Sequence, residues 1–210
     1  MITIRDKIDL EIDWVIKETT KLKLIPHKYS LSSDEKILYL KSIVPMIYAY
    51  LEGFIKRSLK MYLELVNEKN LTYNEISPKL LVYKIEKQYN CFLDRFEKIE
   101  KKVNLINNFL KDIQEAEVKL FFNESKVQNI NCDRLNKILD EFDFENIKDK
   151  KINNGLNKLL QYRNGIAHGE NSYKVSETLI VEFIDTIINT MDIISDIIVK
   201  GYNEKKYLKE

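Results

Sequence analysis

Apolar residues recur three and four positions apart over most of this chain, which is the spacing of amphipathic α-helices. No stretch shows the strict alternation of apolar and polar residues that is typical of half-buried strands. The pattern predicts a first helix over residues 4–24, within an N-terminal segment 1–33 that ends in a loop containing Pro26. The sequence therefore predicts an all-α fold, with helices joined by short connections.

A long second helix is predicted from Ser32 to about Glu68. Ser32 and Glu35 form the capping-box pattern, in which each side chain accepts a hydrogen bond from the other residue's backbone amide. The apolar stripe of this helix is wide, so we expect the helix to be central. Pro45 lies inside it and is expected to kink or interrupt it, because proline has no amide hydrogen to donate.

Glu52 lies beside the apolar residues of this helix, and two interpretations of it stay open. Glu52 and Lys56 are four residues apart, so they could form an ion pair on the surface. Alternatively, Glu52 has a polar role in a half-buried position.

Residues 78–122 are predicted to form an inserted helical hairpin that projects from the core. Its first helix begins at Ser77 and Pro78, a favoured pair for a helix start, and its second has a capping-box pattern in Asp94 and Glu97. Apolar residues of the second helix follow the spacing of a short coiled-coil seam. These seam residues are Phe96, Ile99, Val103, Ile106, Leu110 and Ile113.

Three further helices are predicted in the last third of the chain, over residues 133–142, 151–164 and 177–200. The last of them has an apolar face broad enough for burial on two sides, against the bundle and against a second subunit. The charged tail 201–210 is expected to fray.

Composition limits the class of protein. The chain has 210 residues, the size of one domain, and we interpret residues 1–210 as a single domain. Its 34 Lys and Arg residues nearly balance 33 Asp and Glu residues, unlike a globally basic nucleic-acid-binding protein, although a local basic groove stays open. No apolar run approaches the roughly 20 residues that a membrane-spanning helix needs.

The two cysteines, Cys91 and Cys132, lack the CxxC spacing, and the N-terminus lacks a secretory apolar region. Together these features predict a reduced, cytoplasmic protein with free thiols. Neither a metal-ligand cluster nor a phosphate-binding glycine motif is present, so we expect no metal and no cofactor. A nucleophilic pair of histidine with one of the cysteines stays open, although no local signature supports it.

The segment 162–169, with the sequence Tyr-Arg-Asn-Gly-Ile-Ala-His-Gly, concentrates rare residues. It holds one of the two histidines and two of the five glycines of the chain. A helix C-terminus would explain this cluster, because glycine ends helices and basic side chains favour the negative end of the helix dipole. A ribonuclease site would explain the same residues by their chemistry.

Arg163, Asn164 and His168 suit the cleavage of RNA without a metal ion. In that reaction the 2′-hydroxyl attacks the adjacent phosphate, a histidine moves protons near neutral pH, and an arginine stabilises the charged phosphoryl oxygens. Asn164 would orient one of the other two side chains or bind substrate. One Arg–His pair is little for a reaction that needs both an acid and a base, so a symmetric dimer with two copies of the pair is expected.

Residues 163–169 resemble the R-x4–6-H motif of the HEPN superfamily (higher eukaryotes and prokaryotes nucleotide-binding). The form RNxIAHG is similar to that of stand-alone HEPN proteins from prokaryotic defence and toxin systems. Residues 48–56, in which Glu-Gly-Phe precedes a lysine, resemble an earlier helix of the same group. The resemblance covers roughly residues 34–200, and it implies an all-α HEPN-like bundle.

The resemblance also implies a homodimer with two motifs at one cleft and a metal-independent endoribonuclease of a toxin–antitoxin or anti-phage defence system. Arg163 and His168 would be catalytic together with Asn164, RNA would be the substrate, and an antitoxin or defence protein would be a candidate partner. Glu52 matches the family's acidic position and would contact Arg163 or shape the cleft. The expected substrate-binding residues are Glu52, Tyr162 and Lys56, of which the last two are added by proximity. Some HEPN domains are non-catalytic modules that bind RNA or a partner protein, and this alternative stays open.

Overall fold

The computed structural model describes residues 3–89, 99–114 and 117–209. These residues contain seven α-helices, which follow the helical spacing of the apolar residues, and a single isolated β-bridge. The predicted all-α fold is therefore confirmed. The helices are α1 (Ile4–Lys28), α2 (Ser33–Asn67), α3 (Pro78–Tyr89), α4 (Ile99–Gln114), α5 (Cys132–Glu141), α6 (Lys150–Ala167) and α7 (Glu177–Asn203).

Helix α2 is the centre of the bundle, as its wide apolar stripe predicts. It packs against α1, α6 and α7, and its buried side chains recur three and four residues apart along one wide face. Helix α7 packs against the same α2 and also against α1 and α6. Three neighbours within the chain therefore account for much of the broad apolar face of α7, and a contact of this face with a second subunit stays a prediction.

The end of α1 differs from the sequence prediction. The helix continues through Pro26 to Lys28, so the predicted loop over residues 24–33 shrinks to a turn. Proline cannot donate to the carbonyl of Leu22, four residues earlier, but the hydroxyl of Tyr39 donates to that carbonyl at 2.8 Å. A side chain of α2 thus replaces the hydrogen bond that Pro26 removes, and the helix can extend.

Helix α2 begins as predicted, because Ser32 and Glu35 form both hydrogen bonds of the capping box. Pro45 does not interrupt this helix, which is continuous from Ser33 to Asn67. The residues around the proline explain why. Val44, Ile47 and Tyr48 are buried against the bundle, so tertiary packing holds this turn helical.

The segment 78–122 is only partly described, and its treatment as an inserted hairpin stays a prediction. Helix α3 belongs to the core, since Leu80 and Tyr83 are buried and the helix packs against α5. Helix α4 instead exposes the described seam residues, which are Ile99, Val103, Ile106 and Leu110. The predicted capping box at Asp94 and Glu97 and the seam position Phe96 lie outside the described residues, as does the side chain of Ile113.

The C-terminal tail is ordered, and the prediction that residues 201–210 fray is wrong for the described part. The amide of Ser77 donates to the carbonyl of Tyr207 at 2.8 Å, and the amide of Lys209 donates to the carbonyl of Glu75 at 2.7 Å. The Tyr207 side chain is buried, at 6% exposure. Backbone hydrogen bonds to the segment before α3 therefore hold the tail in place, although its charged sequence suggested that it would extend into solvent. Among the described helices, none is long and apolar enough to cross a membrane.

Candidate active site

The segment that resembles the HEPN motif forms the end of α6. His168 is the C-cap residue, and Gly169 follows with a positive φ of 77°. The amide of Gly169 donates to the carbonyl of Ile166 at 3.0 Å, and that of Glu170 donates to Gly165 at 2.9 Å. These two bonds are the Schellman motif, in which glycine supplies the left-handed residue that ends a helix. Helix termination therefore accounts for Gly169.

Gly165 has a different role, close packing. It is buried inside α6, and a Cβ atom there would lie 2.0 Å from the ring of Tyr173. Helix α6 is continuous through Gly165. The Tyr173 ring also contacts Tyr162 edge-on, with centroids 4.9 Å apart.

Tyr162 is part of this aromatic cluster. Besides Tyr173, its ring contacts Phe183 of α7 edge-on at 5.4 Å. The side chain is half-buried, so its ring packs the end of α6 onto α7. The expected role of Tyr162 in substrate binding stays a prediction.

Arg163 is half-buried and held by neutral groups. Its guanidinium lies 5.2 Å from the ring centroid of Tyr48 on α2, in the geometry of a cation–π contact. Its Nη1 atom donates to the side-chain oxygen of Asn164 at 2.8 Å and to that of Asn129 at 3.4 Å. Among the described residues, no carboxylate forms an ion pair with Arg163. Its positive charge is therefore positioned without a neutralising partner.

Glu52 reaches the site through a backbone amide. Its Oε1 atom accepts a hydrogen bond from the amide of Asn129 at 2.9 Å. Within the described part of the chain, Glu52 forms no ion pair with Lys56 or with Arg163. The half-buried polar role is thus the one the structure shows, and Glu52 fixes the turn at Asn129. Lys56 is half-buried one turn further along α2.

Tyr48 provides the platform for Arg163. It is buried, and its hydroxyl donates to the carbonyl of Ile130 at 3.1 Å. Burial, together with the nearby charge of Glu52, raises the pKa of the Tyr48 hydroxyl well above its usual value. The phenol therefore stays neutral at physiological pH, and its ring face remains available to the guanidinium of Arg163.

His168 is separate from this cluster within one chain. It is exposed at the end of α6, and its side chain makes no hydrogen bond or ion pair in the part of the chain that the structure describes. Five residues along a continuous helix correspond to about 500°, so the side chains of Arg163 and His168 leave α6 about 140° apart. The structure thus brings Arg163, Asn164 and Glu52 to one place but does not join His168 to them.

Two neighbours of Arg163 were missed by sequence reasoning, Tyr48 and Asn129. The segment 123–131 shows only an Asn-rich loop, and nothing in it indicates a contact with α6. Asn129 has a left-handed backbone with a φ of 51°, a conformation that asparagine tolerates better than most residues.

Other catalytic chemistries find little support at this site. Cys132 is buried, and burial raises the pKa of its thiol, which disfavours the reactive thiolate. Cys91 lies outside the described residues. Residues 3–89, 99–114 and 117–209 contain no group of three or more His, Cys, Asp and Glu side chains that could hold a metal ion.

No curated protein and no solved structure matches this chain. A family model described as MAE_28990-like HEPN matches residues 4–207, nearly the whole chain, and HEPN domains suggest a nuclease or another RNA-related module. The match includes both the α6 motif and the Glu52 segment, and the chain therefore belongs to the HEPN superfamily.

Proposed function

We propose that the protein is a metal-independent endoribonuclease in which Arg163 and His168 carry out the chemistry. The observation that carries this proposal is the environment of Arg163. Its guanidinium is held by two amide oxygens and a tyrosine ring, with no carboxylate ion pair among the described residues, and an exposed histidine follows at the end of the same helix. A guanidinium in this state has its full charge available for a phosphate.

The proposed reaction is an attack of the RNA 2′-hydroxyl on the adjacent phosphorus. The O2′–P bond forms and the P–O5′ bond breaks, which gives a 2′,3′-cyclic phosphate and a 5′-hydroxyl. His168 moves a proton on or off the reacting oxygens, and Arg163 stabilises the negative charge that builds up on the phosphoryl oxygens. Asn164 holds the guanidinium through its 2.8 Å hydrogen bond to Nη1.

The reaction is proposed to take place at the interface of a homodimer. Within one chain, the side chains of Arg163 and His168 point about 140° apart around α6. A second copy related by two-fold symmetry would bring its own motif to the same cleft and so supply two histidines, one as base and one as acid. Activity in a toxin–antitoxin or anti-phage defence system, with an antitoxin or defence protein as partner, is part of the same proposal.

The test is cleavage of total tRNA and of mRNA by the purified protein in EDTA, with single-stranded DNA as the control substrate. We expect RNA to be cut and DNA to be left intact, because DNA lacks the attacking hydroxyl. Arg163→Ala and His168→Ala should each lower the cleavage rate by at least about a hundredfold. Cleavage at the wild-type rate by His168→Ala would contradict the proposal.

The second candidate is a non-catalytic HEPN module that binds RNA or a partner protein. The observation that favours it is the imidazole of His168, which no described side chain orients. Under this alternative, RNA binds to the wild-type protein and is recovered intact, and His168→Ala leaves the affinity nearly unchanged. Arg163→Ala would still weaken binding, because it removes a phosphate contact.

A further inference from the structure

We propose that Asn129 is a positioning residue that fixes the guanidinium of Arg163 for the substrate phosphate, and that α2 controls it through Glu52. This inference rests on the proposed function, since it names how the phosphate-binding arginine is held. Asn129 lies in the segment before α5, outside the two short motifs at residues 48–56 and 163–169 that carry the resemblance.

Two side chains of α2 form hydrogen bonds with the backbone of the consecutive residues Asn129 and Ile130. Glu52 accepts a hydrogen bond from the amide of Asn129 at 2.9 Å, and the hydroxyl of Tyr48 donates to the carbonyl of Ile130 at 3.1 Å. Glu52 and Tyr48 lie one turn apart on the same face of a buried helix. A rigid element therefore sets the position of a loop residue.

The side chains around Arg163 occupy only one of its nitrogens. Both amide oxygens, from Asn129 and Asn164, accept from Nη1. In the described part of the chain, the Nε and Nη2 atoms of Arg163 make no hydrogen bond. These two nitrogens form one edge of the guanidinium, and their donors match two oxygens of a phosphate. The protein thus binds the Nη1 atom of the guanidinium and leaves the edge formed by Nε and Nη2 for substrate.

An amide suits this position better than a carboxylate. The oxygen of Asn129 orients the guanidinium but leaves its charge in place, whereas an aspartate would pair with Arg163 and compete with the phosphate. Glu52, the nearby carboxylate, is bound to the backbone amide of Asn129. Its charge supports the turn and forms no ion pair with the arginine.

The experiment compares Asn129→Gly, Asn129→Asp and wild type in single-turnover cleavage of one RNA oligonucleotide. Glycine keeps the left-handed backbone and the backbone amide that donates to Glu52, but it removes the side-chain oxygen that accepts from Arg163. We therefore expect kcat/KM to fall about tenfold. Aspartate should lower it further, because the new carboxylate pairs with Arg163. Glu52→Gln, which can still accept from the amide of Asn129, should lose less activity than Glu52→Ala.

The matched control is Asn70→Gly. Asn70 also has a φ of 51°, and its side-chain oxygen also accepts from a basic residue, Lys119, at 3.1 Å. It follows the end of α2, which lies about 22 Å along the helix axis from Glu52. We expect Asn70→Gly to cleave RNA at the wild-type rate. Equal thermal stability of the Asn70→Gly and Asn129→Gly variants would show that a difference in activity reflects positioning.

A double-mutant cycle with Arg163→Ala gives the deciding readout. If Asn129 acts through Arg163, Asn129→Gly should have no further effect once the arginine is removed. Wild-type activity in Asn129→Gly, or an equal loss in both backgrounds, would overturn the inference. If the wild-type protein cleaves no RNA, the proposed function fails separately. The affinity for the same oligonucleotide then decides, since Asn129→Gly must still weaken it.

Discussion

Individual residues at the end of α6 separate into two groups with different physical roles. Gly169 ends the helix, Gly165 admits an aromatic ring, and Tyr162 packs within the same aromatic cluster. Arg163 and His168 are not required by any of these contacts. Helix termination therefore explains Gly169 and close packing explains Gly165, whereas neither explains Arg163 or His168.

Gly165→Ala is expected to lower the free energy of unfolding by about 1–3 kcal/mol, because the added methyl group would overlap the ring of Tyr173. Urea denaturation measures the change. The control is Gly53→Ala in α2, where the new Cβ would meet the Nη1 atom at the end of the Arg57 side chain at 2.9 Å. That variant should stay within about 0.5 kcal/mol of wild type. If Gly165→Ala is as stable as the wild-type protein, the ring of Tyr173 can move away from the added methyl group.

The sequence pointed to the candidate residues Arg163 and His168 but not to the neighbours of Arg163. Arg163 and His168 stand out because arginine, histidine and glycine cluster in a helix-rich chain. Asn129 is 34 residues before Arg163, and only the packing of a loop between α2 and α6 brings the two together. Periodicity reports which face of an element is buried, but it does not report which loop lies against that face.

At the scale of helices, apolar spacing predicted which segments are helical, and the errors occurred at helix ends. Proline was expected to end α1, but a hydroxyl from another helix satisfies the carbonyl that Pro26 leaves free. The charged tail was expected to fray, but it pairs with the segment before α3. Both errors have one cause. Hydrogen bonds between distant segments replaced the local ones, and a single sequence does not show them.

Tyr39→Phe tests this explanation of α1. The change removes the hydroxyl that donates to the carbonyl of Leu22, and it leaves that carbonyl without its partner beside Pro26. We expect the free energy of unfolding to fall by about 1 kcal/mol. Tyr50→Phe is the matched control, because Tyr50 is also half-buried on α2. Its hydroxyl makes no hydrogen bond to any residue that the structure describes. An equal effect of the two substitutions would argue against the role of Tyr39.

At the scale of the whole molecule, near-neutral net charge gives no general attraction to RNA. Under the proposed function, affinity for RNA would come from local groups such as Arg163, and we expect salt to weaken it only modestly. The helices of the bundle bury one another within the chain, and the exposed His168 lies at the surface. Completion of the site by a second copy stays a prediction.

The homodimer can be tested by dilution. If the active species is a dimer, the cleavage rate per chain should fall when the protein is diluted below its dimer dissociation constant, because the monomer lacks the second motif. Light scattering over the same concentrations should show the mass halve in parallel. A cleavage rate per chain that stays constant while the mass halves would show that one chain is sufficient.

The chemical nature of the RNA ends is the most direct test of the central claim, that Arg163 and His168 cleave RNA through its 2′-hydroxyl. Mass spectrometry of the products of one oligonucleotide, cut in EDTA, identifies these ends. We expect a 2′,3′-cyclic phosphate and a 5′-hydroxyl from the wild-type protein, and intact substrate from His168→Ala. Products with a 5′-phosphate and a 3′-hydroxyl, or identical products from both proteins, would contradict it.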